Sequence, residues 1–368
     1  MNTVCKKDLC AGCMACMDFC PVNAIKIEDS LHAYNAVIDE ALCIDCGACH
    51  RVCPQENPVS ASEPILWRQG WATDPEVRKA SSSGGAAAAI TQAFIQEGGV
   101  VCSCVQKDGA FTFAFADHLE DAKLFRGSRY VKSNPEGAYK AIKEKLKSGK
   151  KVLFIGLPCQ VAAVRNYTGD HENLYTADLI CHGTPSPKLL DAFLKQYGHC
   201  TNDFASLQFR NKARFQIYGD GKGIITPGVN DRYSIAFLAG LCYTEGCYGC
   251  PYAQGDRVSD LTLGDSWGSL LPEEECKKGI SLLICQTQKG QQLMESAEMT
   301  LTEVDPAIAV DNNHQLAHPS PKPDGRDVFF TRLKNGASFN KLVKKTLPKS
   351  CFRQDVKHLL IKIGVIHR

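Results

Sequence analysis

LCAGCMACMDFCPV, residues 9–22, and LCIDCGACHRVCPQ, residues 42–55, are two copies of one motif. Both follow the spacing Cys-x2-Cys-x2-Cys-x3-Cys-Pro: Cys10, Cys13, Cys16 and Cys20 before Pro21, then Cys43, Cys46, Cys49 and Cys53 before Pro54. Thiolates are soft ligands, and the irons of a cubane cluster take four of them. Three cysteines at two-residue intervals can each take one iron, but a fourth, three residues further on, cannot comfortably reach the same cluster. In a two-cluster module it crosses to the other one. The expected sets are therefore Cys10, Cys13, Cys16 and Cys53 for one 4Fe–4S cluster, and Cys43, Cys46, Cys49 and Cys20 for the other. Pro21 and Pro54 end the short helix after each triplet, and Gly12 and Gly47 permit the tight path around a cluster. Two four-thiolate zinc sites are the competing reading, which the doubled spacing with both prolines disfavours.

Between the copies lie two β-prone runs, Ala24–Ile27 and Ala36–Asp39, so residues 1–56 read as a bacterial-type two-cluster ferredoxin module. Gln55–Pro64 is polar with two prolines, a linker by composition. The texture then becomes α/β. Strands are expected at Leu66–Thr73, Gly98–Val105, Ala110–Ala116, Val152–Ile155, Leu174–Ile180 and Asp260–Gly264. Helices are expected from Ser81–Gly85 to about Gln96, and at Glu136–Lys147, Pro187–Tyr197 and Ser234–Leu241, with a strand–helix pair at Ile280–Glu298. Residues 331–368 read as a basic helical tail. Its segment Val356–Ile363 packs inward through Leu and Ile or, alternatively, docks a partner or an anionic surface.

The chain has 368 residues and a formal net charge of +2, so nucleic acid is not an expected partner. No apolar run is long enough for a transmembrane segment, and the start, MNTVCKKDLC, lacks the apolar stretch of a signal peptide. Twenty cysteines at metal spacings favour a reducing compartment, and a cytoplasmic location is expected.

Beyond the repeat, Cys247-x2-Cys250-Pro251 is a third metal-like pair, and Cys159 and Cys181 each follow an expected strand. Positions just past strand ends are where α/β sheets build sites. Those four could close a third cluster, although a lone Cys-x2-Cys is often zinc or buried thiols. Cys5, Cys102, Cys104, Cys200, Cys242, Cys276, Cys285 and Cys351 have no partner spacing and read as small, buried or partly exposed hydrophobes, with Cys242 the reserve ligand.

Several further motifs follow in order: Ser82-Ser83-Gly84-Gly85, Gly127-Ser128-Arg129-Tyr130-Val131-Lys132-Ser133, Gly156-Leu157-Pro158-Cys159-Gln160 and Cys181-His182-Gly183-Thr184-Pro185-Ser186-Pro187. Next come Cys247-Tyr248-Gly249-Cys250, Arg257-Val258-Ser259-Asp260 and Leu263-Gly264-Asp265-Ser266-Trp267-Gly268. Together they resemble the beta-subunit family of the coenzyme F420 (deazaflavin) hydrogenases and formate dehydrogenases. The resemblance spans about residues 66–270, and the family includes relatives with an N-terminal two-cluster ferredoxin. It implies a third 4Fe–4S cluster on Cys159, Cys181, Cys247 and Cys250, and a flavin, FAD with FMN as the alternative, near Ser82–Gly85 and Gly127–Ser133. The second motif of the family commonly has Lys where this chain has Arg129, which leaves the hydride partner open. The implied fold is α+β multidomain: a ferredoxin module at 1–56, then α/β flavin- and cluster-binding domains at 66–165 and 166–330.

The residues themselves allow this flavin site alongside plainer readings. Ser82, Ser83, Gly84 and Gly85 could cradle a phosphate at a helix start or supply a serine N-cap. Ser128 shares a segment with Arg129 and Lys132, which with Arg126 could neutralise phosphates or a reduced flavin, or form a solvated face. Asp265 and Trp267 follow a strand, although Trp267 could be core. His182 could donate a proton or orient its neighbouring cysteine. The implied activity is that of an iron–sulfur flavoprotein oxidoreductase. Its partners would be ferredoxin or another redox protein and a small organic hydride donor or acceptor. The alternatives are a non-catalytic subunit of a redox complex, a homo-oligomer among them, and a cluster-binding accessory protein of polysaccharide biosynthesis. Crossed ligation is directly testable: Cys20→Ser should damage the EPR signal of the cluster on the Cys43 triplet and spare that on the Cys10 triplet, and the opposite pattern rejects the crossing.

Overall fold

The computed structural model describes residues 2–366. Each cysteine triplet runs into a short helix, Ala15–Phe19 and Ala48–Val52, entered through a left-handed residue, Met14 (φ 62°) and Gly47 (φ 64°). The helices end at extended Cys20 and Cys53, where the prolines follow. Between them β1 (Ile25–Asp29) and β2 (Tyr34–Ile38) pair antiparallel, Ile25 opposite Ile38.

The body holds β3 (Leu66–Ala72), β4 (Val100–Lys107), β5 (Ala110–Ala116), β6 (Val152–Gly156), β7 (Leu174–Leu179), β8 (Leu207–Asn211), β9 (Arg214–Gly219), β10 (Lys222–Gly223), β11 (Leu261–Asp265), β12 (Ser281–Cys285) and β13 (Met299–Glu303). Eight of them form one mixed sheet in the order β13-β3-β12-β11-β7-β6-β4-β5. The four central strands β11, β7, β6 and β4 are parallel. Helices cover both faces, so a central strand is apolar throughout. In β6, Leu153 and Ile155 join the core under helix Ala86–Gln96, while Val152 and Phe154 join the core under helices Ala138–Lys147 and Pro158–Thr168.

This sheet takes strands from both sides of residue 165/166. β6 and β7, on either side of that boundary, are hydrogen-bonded neighbours, and β3 lies between β12 and β13. Residues 66–165 and 166–330 therefore build one layer. The small sheet β10-β9-β8 had no counterpart in the sequence reading.

The linker is also not loose. The amide and carbonyl of Ser62 pair with those of Arg257 at 2.8 and 3.0 Å. Cys10, Cys13, Cys16 and Cys53 share one apolar core with Tyr139, Ile142 and Val161 of the body. Asp18 accepts from the Gly137 amide at 2.7 Å, and Ser186 donates to Asp29 at 2.6 Å. The tail is buried in its first part and open in its last. Phe339, Leu342, Val343 and Cys351 are buried, but on the last helix, Pro348–Lys362, Phe352, Val356 and Leu359 face solvent, as does Ile363 just beyond it. Among the described residues no helix is long and apolar enough to cross a membrane.

One buried ion pair ties β7 to the loop that carries the third cysteine pair. Arg257 donates to Asp178 at 3.0 Å, to the Tyr252 carbonyl at 2.9 Å and to Thr262 at 3.3 Å, with both charged side chains almost fully buried. Burial pushes the Asp178 carboxyl up, and Arg257 pulls it back down. Removing one partner strands the other charge, so Arg257→Met should cost about 3–5 kcal/mol. The check is the urea midpoint of anaerobic protein; a loss under about 1 kcal/mol, the scale of a surface pair, would show the clamp to be dispensable.

Candidate functional site

Cys10, Cys13, Cys16 and Cys53 line one small cavity. The structure thus brings the last cysteine of the second motif to the first triplet. Cys49 has Cys20 and Cys43 as its charged neighbours. The repeat is visible in N–H···S bonds at equivalent positions, Gly12 to Cys10 and Asp45 to Cys43, both at 3.4 Å. The two groups differ in depth. Cys10, Cys13, Cys16 and Cys53 are buried, whereas Cys43 and Cys46 are exposed. Among the described residues no three His, Cys, Asp or Glu side chains draw together around a single ion. Sulfurs ringed about a cavity suit the several irons of a cluster better than one zinc, which holds each sulfur at about 2.3 Å. Cys5, read from sequence as unpartnered, lines the inner cavity too, and its thiol beside Cys10 holds the Cys10 thiol below its ordinary value.

The third group is built by strand ends. β6 ends at Gly156 and leads into helix Pro158–Thr168, with Cys159 in its first turn. The neighbouring β7 ends at Leu179, two residues before Cys181. Cys247 and Cys250 arrive on the turn Glu245–Gly249, which is tied to the Cys181 loop by the Thr244 amide on the Thr184 carbonyl at 3.1 Å. Cys159 is within electrostatic reach of Cys250, Cys181 and Cys13, and Cys181 of Cys247 and Cys250. Burial pushes the Cys181 thiol up to about 12. Burial also raises Cys247, but the charge of Lys132 and the hydroxyls of Thr244 and Thr184 outweigh it and leave that thiol below its ordinary value. Four such thiols could hold a third cluster, with Cys13 of the inner group alongside. The reserve candidate Cys242 is buried in the same apolar core as Tyr233, Tyr243 and Phe237, against which Cys247 also packs, and Cys276 is exposed where partial exposure was the most expected.

The flavin candidates converge on the next strand end. β11 lies beside β7 and ends at Asp265. Arg210 of β8 binds Asp265 through two bonds, 2.6 and 2.8 Å, and also reaches the Ser82 carbonyl at 2.9 Å and the Tyr130 hydroxyl at 3.1 Å. Its guanidinium stands 5.6 Å from the Trp267 ring. Lys212, in the hairpin turn, donates to the carbonyls of Arg78, Ser81 and Ser83 at 2.5–2.8 Å, and burial pushes its ammonium down to about 8. Sequence reading missed both basic residues. The alternation of Leu207 and Phe209 before the turn, and of Phe215 and Ile217 after it, was the available signal.

Neither serine caps the helix start, because Gly85 is the N-cap at φ 94°. Ser82 accepts from the Ser128 amide at 2.9 Å, and Ser83 donates to the Ile280 carbonyl at 2.9 Å. Gly84 is pressed onto the sheet: a Cβ there would stand 2.4 Å from the Gly70 carbonyl oxygen and 2.6 Å from the Ser281 amide nitrogen. Arg129 is held by the carbonyls of Leu124, Phe125 and Gly127, with its buried Nε lacking an acceptor, an atom an anionic group could satisfy. Lys132 lies elsewhere, with its ammonium on the Ala11 carbonyl of the inner cysteine loop at 2.9 Å. His182 lies between Cys181 and Asp265. Its Nδ1 accepts from Gln315 at 2.9 Å, and burial together with His314 holds it down at about 4, so it is neutral near pH 7 and orients its loop as an acceptor. A second cleft, lined by Arg165, His171, Asp260 and Lys289, opens at the opposite sheet edge, away from every flavin candidate.

Two family models match the chain. Residues 149–308 match the model for the C-terminal part of the coenzyme F420 hydrogenase/dehydrogenase beta subunit, and residues 9–57 match the 4Fe-4S dicluster domain. One protein chain in the F420-reducing nickel–iron hydrogenase complex from Methanosarcina barkeri aligns with 69% of this chain and 91% of its own length, at 22% identity and a TM-score of 0.49. No curated protein matches. The chain thus carries, in residues 149–308, a region matching the C-terminal part of the coenzyme F420 hydrogenase/dehydrogenase beta subunit, with a 4Fe–4S dicluster domain ahead of it.

Proposed function

We propose that this chain is an iron–sulfur flavoprotein oxidoreductase, working between a ferredoxin-type partner and an organic hydride donor or acceptor. One observation carries the reading: the candidate groups form a single file from surface to sheet edge. Cys43, Cys46, Cys49 and Cys20 would hold an outer cluster, with Leu42 (53% exposed) and Ile44 (62% exposed) beside it as a docking rim for a redox partner. Cys10, Cys13, Cys16 and Cys53 would hold an inner cluster. Cys159, Cys181, Cys247 and Cys250 would hold a third, with Cys13 within electrostatic reach of Cys159. Ser82–Gly85, Ser128, Arg129, Asp265 and Trp267 would surround the flavin, FAD in this reading, one strand further along the same edge.

Bound there, the clusters supply one-electron steps and the flavin a two-electron exchange of hydride. The protein supplies order and exclusion of water. Arg210 closes the site by joining the Asp265 strand end to the Ser82 loop. His182, neutral, leaves the loop between third group and flavin without an added charge. The exposed rim at Leu42 and Ile44 equally suits a subunit that passes electrons to a partner's active site, the second reading.

Two measurements test this. Anaerobic full-length protein should carry about twelve irons per chain, falling to about eight in Cys159→Ser or Cys181→Ser; unchanged iron in both variants would reject the third group. Reduced ferredoxin or viologen should bleach one bound flavin, which deazaflavin or nicotinamide acceptors then reoxidise. Protein loaded with iron that never binds FAD or FMN is a cluster-only carrier, and a flavin that bleaches without any acceptor turning over favours the subunit reading.

A further inference from the structure

Lys132 is the one flavin candidate that the fold carries away from the strand-end site, and its surroundings define another task. Its side chain is 5% exposed. Its ammonium donates to the Ala11 carbonyl, between Cys10 and Cys13, and stands 5.2 Å from the Tyr34 ring centroid. Its stem passes over Gly12, where a Cβ would come within 2.8 Å of Lys132 Cδ, so glycine at that left-handed position (φ +70°) leaves the path open. The backbone around it touches the third group. The Lys132 amide donates to the Pro185 carbonyl at 2.8 Å, in the loop after Cys181. Gln160, next to Cys159, donates to the Ser133 hydroxyl at 3.0 Å. The same charge acts on Cys10 on one side and on Cys159, Cys181 and Cys247 on the other.

A buried ammonium resting on a carbonyl and a ring, rather than a carboxylate, needs a balancing anion. Two groups of four thiolates supply it once each holds a cluster, because four thiolates bring more negative charge than the cubane core cancels. We propose that Lys132 is a fixed positive charge shared by the inner and third clusters, holding both at higher potential. The proposal rests on the three-cluster reading above. Reduction adds one electron to a cluster and leaves its bonds intact, so a neighbouring cation stabilises the reduced form more than the oxidised one. The offset matters for a file of carriers: an electron on the inner cluster opposes arrival of the next on the third, and a cation near both counters part of that cost.

The test is an EPR-monitored redox titration of the anaerobic full-length chain. Lys132→Met should lower the midpoints of the inner and third clusters, by about tenfold in the oxidised-to-reduced ratio, or about 59 mV for a one-electron couple. The outer cluster should stay unchanged, and Lys132→Arg should keep all midpoints near wild type. Lys132→Gln, which retains a donor to Ala11 without the charge, should behave like Lys132→Met. Wild-type midpoints in either neutral variant would overturn the proposal, since the hydrogen bond or the stem alone would then suffice. Iron lost from both neutral variants but kept by Lys132→Arg supports the need for charge, and iron lost from all three overturns it. Wild-type protein with only about eight irons would instead defeat the three-cluster reading itself, independently of any variant.

Discussion

The contact between the cysteine repeat and the sheet is apolar and closed, and the rest of the arrangement depends on it. Cys10, Cys13, Cys16 and Cys53 pack in one core with Tyr139, Ile142, Val161 and Tyr252. Tyr252 donates to the Pro54 carbonyl at 2.6 Å, which spans the same junction. A thiolate group in such a place loses water on all sides, so its charge must be met by protein dipoles and fixed charges. That requirement accounts for the N–H···S bond at Cys10, the Cys5 thiol aimed at the same cavity, and the buried ammonium of Lys132. It also makes the module part of the body, with the Ser62–Arg257 pairing fastening the chain that leaves it.

On the sheet side, position follows from parallel strands ending at one edge. β6, β7 and β11 are consecutive neighbours, so the residues at or just past their ends, Cys159, Cys181 and Asp265, fall in a row. Two arginines brace that row. Arg257 joins β7 to the loop bearing Cys250, and Arg210 joins β11 to the loop at Ser82. Both are buried and bidentate or forked, the geometry that suits guanidinium and that lysine cannot reproduce. The same locks explain why Gly84 matters: its loop lies on β3 and β12 with no room for a side chain.

Much of this was legible residue by residue. The doubled cysteine spacing specifies two local loops and their crossing partner, because each triplet's reach is set by backbone geometry over a few residues. The apolar run Val152–Ile155 announces a strand buried on both faces, and β6 is one. Reading for loci at strand ends picked out Cys159, Cys181 and Asp265, which the structure places at or just past the ends of neighbouring strands. The hairpin with Arg210 and Lys212 went unread because its alternation is short and interrupted by charges. The last helix stayed open in the sequence because Leu and Ile at helical spacing state only that a face is apolar, not that anything covers it; Leu360 and Ile361 are half-buried while Leu359 faces solvent.

By itself, then, the sequence determined the cluster motifs, the central strands and the loops that carry the candidate ligands, all of them consequences of chemistry within a few residues. Tertiary structure alone decided which loops meet. The one-sheet merger of residues 66–303, the placing of Lys132 beside Ala11 rather than Ser82, and the pairing of Arg210 with Asp265 join positions far apart in the chain. Such contacts come from strand order and from the packing of buried faces, and a local pattern holds no record of strand order.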